Sequence, residues 1–162
     1  MANLKHEIQQ TTPFSSLEEE ALLNLVRTSD FLERAFQMEL RPWGVTSTQY
    51  NVLRILRGAE PGGLQCAAIG ARMLTAEPDI TRLLGRLKAL KLVRQHRDDK
   101  DRRVVWTQIT AAGLKLLRDM DPPIRSLPSS LLGHMSRSDL SQMIRLLETA
   151  RRPCVGSHRS QE

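Results

Sequence analysis

Arg82 and Arg86 stand four residues apart, and Lys88, Lys91, Arg94, Arg97, Lys100, Arg102 and Arg103 follow at short intervals. Positions four apart on a helix project along one face. A guanidinium keeps its charge and offers its donors in a rigid planar fork, so two on one face suit a regular, anionic partner. Asp98, Asp99 and Asp101 interrupt the run and leave a surplus of +6, equal to the formal net charge of the whole chain. The first helical region is the reverse: Glu18, Glu19, Glu20, Asp30, Glu33 and Glu39 face only Arg27 and Arg34. Positive charge is therefore placed rather than spread.

Other chemistries find little support. The histidines at 6, 96, 134 and 158 are scattered, and Cys66 and Cys154 lie far apart. No metal-ligand spacing, disulfide framework, phosphate loop or close Ser–His–Asp pattern appears. No catalytic residue, metal or cofactor is expected. With 162 residues, 40% of them hydrophobic, the chain suits one domain with a real core. A pI near 10.0 fits nucleic acid, an acidic protein or an anionic membrane as partner. No signal-peptide core or membrane-length apolar run is visible, so a cytoplasmic protein is expected.

The elements that would hold these basic groups can be read from caps and periods. Residues 1–15 are polar and aperiodic and suit a flexible arm. Ser16 to Glu19 forms a capping box before a long helix that Pro42 and Gly44 stop. Thr46 to Gln49 is a second box, and "GAEPGG" at 58–63 ends its helix. Leu64–Met73 reads as a short helix, Leu74 and Thr75 as a turn, and about 76–90 as a longer helix capped by Thr75. Residues 92–97 and 103–109 then alternate as two antiparallel strands joined by the polar turn "DDKD". Thr110 can cap a further helix that Asp121-Pro-Pro ends or kinks, and residues 122–135 are ambiguous. Ser136 to Asp139 opens the last helix, with Leu140, Met143, Ile144 and Leu147 at helical spacing. The expected domain is 16–151, with 152–162 a flexible tail.

This order predicts a mainly α fold with a small β wing, a winged helix-turn-helix. The alternative is a helical domain carrying a decorative hairpin. On the helix before the hairpin, Ile80, Leu83, Leu84, Leu87 and Leu90 share the apolar face. Asp79, Thr81, Arg82, Gly85, Arg86 and Lys88 remain outward. An α-helix fits the major groove of B-DNA, where an arginine fork addresses guanine O6 and N7 together. Gly85 would let the backbone approach the duplex closely. Glu77 and Asp79 suit helix capping and the orientation of an arginine, with base reading by Asp79 as the alternative. In the hairpin, Arg97, Lys100, Arg102 and Arg103 are candidate DNA contacts, and Asp101 is placed to orient one arginine. Which of Arg102 and Arg103 points outward depends on the register. Trp106 is expected to anchor the hairpin on the core, and His96 to be exposed.

"DKDRRVVWTQITAAGLKLL", from Asp99 to Leu117, resembles the wing of the MarR family of bacterial transcriptional regulators. Asp101-Arg-Arg103 corresponds to the family's Asp-x-Arg feature, and Ile109-Thr-Ala-Ala-Gly113 to its Leu-Thr-x-x-Gly. "DITRLLGRLKALKLVRQ", from Asp79, is similar to the recognition helix and its exit into the wing. The resemblance covers residues 17–150. It implies a homodimer, joined largely through the first and last helices, acting on double-stranded DNA at a pseudo-palindromic operator. It also implies a repressor released by a small lipophilic or phenolic effector, with Met38, Trp43 and Tyr50 near the expected pocket. Some relatives sense oxidants through a cysteine in the first helix; this chain has none there, and Cys66 reads as structural. The competing function is a winged-helix protein-interaction adaptor, because winged helices are reused in that role.

Overall fold

A cap opens each of the main helices of the computed structural model, which describes residues 3–157, with side chains through Arg152. Helix α2 (Leu17–Leu40) begins where the Ser16 hydroxyl accepts the Glu19 N–H. The Glu19 carboxylate turns one residue further back and accepts both the N–H and the hydroxyl of Ser15. A 3-10 turn (Arg41–Trp43) follows, and Gly44, at φ 67°, closes it. Helix α3 (Ser47–Arg57) carries the full capping box of Thr46 and Gln49. Gln37 ties α2 to its start, accepting the Ser47 N–H and donating to the Val45 carbonyl.

Three sequence expectations change in the central region. Leu64–Gln65 is a short strand, β1, and only Cys66–Gly70 forms the helix α4. Helix α5 spans Ile80–Ala89 rather than beginning at Ala76, and its N-cap is Asp79, not Thr75. Pro78 disfavours helical backbone at Glu77, which delays the start to the next good cap. The wing strands are β2 (Val93–Arg97) and β3 (Val105–Ile109). The sheet order is β1-β3-β2, antiparallel, with Leu64 opposite Thr107 and Arg97 opposite Val105. A two-residue strand leaves no period in the sequence; it exists because β3 offers a free edge.

The chain divides into two units, Met1–Arg125 and Ser126–Glu162. The first holds the core: Leu40, Leu53 and Leu56 pack with Ile69, Leu84, Leu87, Leu117 and Met120, all essentially sealed from solvent. Tyr50 sits among them, edge-on to Phe36 at 5.5 Å. In the stretch expected to be a loose arm, Leu4–Glu7 form one helical turn, α1, capped by Asn3, with Leu4 buried and Glu7 paired to Arg27.

Helix α6 (Ala111–Leu132) runs through Pro122 and Pro123 without ending. Proline removes a donor and crowds the carbonyl one turn back, but its φ is itself helical. Buried Met120 and Ile124 hold this turn on the core from either side of the prolines. In the second unit, the Ser136 hydroxyl accepts the Asp139 N–H to open α7 (Arg137–Ser157). The helix continues past Arg151, where the composition suggests a flexible tail, while residues 158–162 lie outside the described residues.

Candidate nucleic-acid interface

Helix α5 separates its faces as the apolar spacing requires except at its end, where Leu90, expected on the apolar face, is the C-cap and is exposed. Leu83, Leu84 and Leu87 are buried, whereas Asp79, Thr81, Arg82, Gly85, Arg86 and Lys88 are exposed. Arg82 and Arg86 therefore present adjacent guanidinium groups on one solvent-facing stripe. The Asp79 carboxylate accepts the Arg82 backbone N–H at 2.8 Å, and Glu77 accepts the Asp79 N–H at 3.3 Å. The acids beside the basic face thus build the helix start, as capping residues do. Arg86 and Lys88 occupy the last turn, where positive charge also suits the helix dipole.

The hairpin register places Arg102 and Arg103 in the connecting loop rather than on a strand, so both are exposed. Arg97 and Lys100 are exposed as well. Arg97 donates to the Arg102 carbonyl at 2.8 Å, a use the sequence did not reveal. Asp101 accepts the backbone N–H of Arg103 at 2.9 Å. It orients that residue through the main chain and not through a guanidinium. Among the described residues, the side chains of Arg102 and Arg103 have no hydrogen-bond or ion-pair partner.

The residue that sequence reasoning missed is Asp98. Its Oδ1 accepts the N–H groups of Lys100 and Asp101, and its Oδ2 accepts the Trp106 indole N–H at 3.0 Å. These bonds, from Asp101 first, then Trp106 and Lys100, hold its carboxyl below the ordinary aspartate value. Trp106 stands opposite His96 on the sheet face that alternates away from buried Thr107 and Ile109. Contrary to the expected anchor on the core, it is half-buried and anchors the turn. In the sequence, "DDKD" shows only a polar turn, and nothing distinguishes the acid that points inward.

The three residues expected near an effector pocket have different surroundings. Met38 is 74% exposed and Tyr50 only 4%, while Trp43 packs against the core. Arg54 lies over the Tyr50 ring at 5.9 Å. Burial raises the Tyr50 hydroxyl above its ordinary pKa. Two surface concavities flank the N-terminal segment, lined by residues such as Asn3, Lys5, His6 and Leu17, and include none of the three. Cys66 is half-buried against the core. Among the described residues, no group of acids, histidines and cysteines could hold a metal ion, and no helix is long and apolar enough to cross a membrane.

A short helix, a turn, an exposed basic helix and a three-stranded wing define a winged helix-turn-helix, mainly α with a small β element. The MarR family model matches residues 43–104, spanning α3 through the wing loop. The crystal structure of a MarR transcription factor from Planctomyces limnophilus is 40% identical, with a TM-score of 0.65 over 85% of this chain and 99% of that one. The transcriptional regulator HosA of Escherichia coli O157:H7 is 28% identical over 123 residues, 72% of this chain and 88% of HosA. S. aureus MepR, solved as a DNA complex, shares the fold at a TM-score of 0.71 and 23% identity, over 78% of this chain and 93% of that one. The chain belongs to the MarR family of DNA-binding transcriptional regulators.

Proposed function

We propose that this chain is a ligand-responsive repressor that acts as a homodimer on a pseudo-palindromic operator in the cytoplasm. The observation that carries the DNA-reading part is the exposed pair Arg82 and Arg86 on α5, opposite buried Leu83, Leu84 and Leu87. In this reading α5 enters the major groove. Arg82 and Arg86 read guanine edges, and Thr81 and Lys88 contact the duplex beside them. Asp79 contributes by fixing the helix start. The wing residues Arg97, Lys100, Arg102 and Arg103 meet the backbone and adjacent minor groove, where narrow A·T-rich tracts favour arginine.

Support for the homodimer comes from apolar side chains that each unit leaves in solvent. Leu17, Leu22, Val26 and Phe31 of α2 are exposed, as are Ile144 and Leu146 of α7. Such surface is usually covered by a partner. Two linked half-site contacts then raise affinity and impose operator spacing. A small lipophilic or phenolic effector would use the apolar surface of Met38 and Trp43, with Tyr50 contributing from the core.

Selection of bound duplexes from a random library tests the operator. Two inverted half-sites are expected, and no enrichment would favour a protein adaptor. Arg82→Ala and Arg86→Ala should each weaken the selected duplex more than random DNA, by a discrimination of about 1–3 kcal/mol per direct base contact. Equal losses on both DNAs would remove the base-reading role. Light scattering at micromolar concentration should give twice the chain mass.

A further inference from the structure

We propose that Asp98 is the positioning residue of the wing: by binding the Trp106 indole and the loop backbone together, it sets where Lys100, Arg102 and Arg103 meet DNA. The proposal rests on the reading of the wing as a DNA contact.

The loop between β2 and β3 is too short to form its own core, so its shape must come from hydrogen bonds. The Asp98 N–H donates to the Val104 carbonyl at 2.9 Å and closes the loop at its base. From there the Asp98 carboxylate works in two directions. Oδ1 gathers the N–H groups of Lys100 and Asp101, at 2.9 and 3.0 Å. Oδ2 takes the indole N–H from β3, on the other side of the hairpin. One side chain therefore joins the strand, the loop and the opposing strand. Downstream, the Val104 N–H donates to the Asp101 carbonyl, and Asp101 holds the Arg103 N–H.

This arrangement resolves a contradiction in the sequence. Three acids beside a phosphate-binding loop should repel DNA. Asp98 offsets that repulsion by holding the loop backbone and the indole, and Asp101 accepts the Arg103 N–H, so among the described residues neither acid pairs with the Arg102 or Arg103 guanidinium. Asp99 is exposed and takes no part in these bonds. It supplies the control: removing either Asp98 or Asp99 deletes the same charge from the same loop, but only Asp98 holds its shape.

The two substitutions therefore move affinity in opposite directions. The full chain carrying Trp43→Phe leaves Trp106 as the only tryptophan of the two. In that background Asp98→Ala, Asp98→Asn, Trp106→Phe and Asp99→Ala are compared on matched duplexes with A·T-rich or G·C-rich flanks. Asp99→Ala should bind as tightly as its parent or tighter, because a repulsive charge is gone. Asp98→Ala should bind A·T-flanked DNA about three- to tenfold more weakly and lose the flank preference, while discrimination at the major-groove positions stays intact. Its indole should become more open to iodide quenching. Asp98→Asn retains an acceptor for the loop and should fall between the two. Trp106→Phe, which loses only the N–H side of the clamp, should also lower the flank preference.

If Asp98→Ala, or Asp98→Asn should the alanine variant not fold, matches Asp99→Ala in affinity and flank preference, the positioning role is overturned. If Arg102→Ala/Arg103→Ala binds both duplexes like the parent, the wing contact itself fails, and this proposal with it.

Discussion

The Asp79 carboxylate accepts the backbone N–H of Arg82 at 2.8 Å, so the acid that opens α5 is bonded to the first arginine of its exposed face. Capping and base reading by Asp79 make different demands. Asp79→Ala should lower stability by about 1 kcal/mol and weaken DNA binding. Asp79→Ser keeps the cap with a side chain too short to reach a base. It should restore both stability and affinity, measured by urea unfolding and fluorescence anisotropy. Restored stability without restored affinity would instead assign Asp79 a direct DNA contact.

Two glycines should respond in opposite ways to alanine. A Cβ at Gly113 would lie 2.4 Å from the Leu92 carbonyl oxygen and 2.7 Å from an Ile109 side-chain carbon. The first turn of α6 crosses the start of the wing at that point, and backbone cannot yield readily. Gly113→Ala should destabilise by about 1–3 kcal/mol. A Cβ at Gly85 meets nothing within 4 Å. Gly85→Ala should stabilise α5 by up to about 1 kcal/mol. If α5 approaches DNA closely at Gly85, the same variant will bind less tightly. Thermal unfolding beside anisotropy separates the two effects, and unchanged affinity would place Gly85 away from the duplex.

Asp121 accepts one Arg57 nitrogen on both oxygens, at 3.0 and 3.1 Å, with Arg125 at 3.7 Å. The pair joins the end of α3 to α6 one residue before the prolines weaken that helix's ladder. Both side chains are less than a third exposed, so screening is incomplete. Arg57→Ala and Asp121→Ala should each cost about 1–2 kcal/mol, and the double variant less than their sum. Additive losses in a urea double-mutant cycle would show that the two groups do not act together.

The parts of this fold legible in the sequence are those fixed by local physics. Thr46 and Gln49 form the full box expected, because both partners lie within one turn. Leu83, Leu84 and Leu87 fall on the buried face because helical period alone decides it. What escaped depends on distant partners. Leu64 becomes a strand because Thr107 lies opposite. Asp121-Pro-Pro does not stop α6 because Met120 and Ile124 hold it on a core assembled from other elements. In the candidate interface, the exposure of Arg82 and Arg86 was legible; that both Arg102 and Arg103 face solvent was not, because it depends on the hairpin register, and neither was the division of labour among Asp98, Asp99 and Asp101. Three acids within four positions look alike until the hairpin register brings Trp106 to one of them.

Acid should test that assignment without altering Asp98 itself. Hydrogen bonds from Asp101, Trp106 and Lys100, with a smaller contribution from the nearby His96 charge, depress the folded-state pKa of Asp98. A depressed carboxyl contributes stability above its unfolded value and loses it as pH falls through the folded value. In the Trp43→Phe background, the Trp106 emission should therefore stay level through the neutral and weakly acidic range. It should change only below the ordinary aspartate range. His96→Gln, which changes the side chain opposite Trp106, should leave that acid transition in place, and a transition near neutrality in that variant would contradict the assignment.

Arg102 and Arg103 carry the last expectation. Among the described residues both guanidinium groups are without a partner, and their backbone is held on one side by the Arg97 bond to the Arg102 carbonyl and on the other by Asp101. A side chain presented from a fixed backbone loses less entropy when it binds. Near a minor groove it gains from the potential of the duplex, which narrow A·T-rich tracts concentrate and which salt screens. Arg102→Ala/Arg103→Ala should therefore weaken A·T-flanked DNA more than G·C-flanked DNA. The difference should shrink as salt rises, and the slope of log affinity against log salt should become shallower by about 0.9 for each phosphate that is no longer neutralised. Anisotropy on duplexes differing only in their flanks, with thermal unfolding to confirm the fold, measures this. An equal weakening on both flanks at every salt concentration would place these arginines on the phosphate backbone rather than in the minor groove.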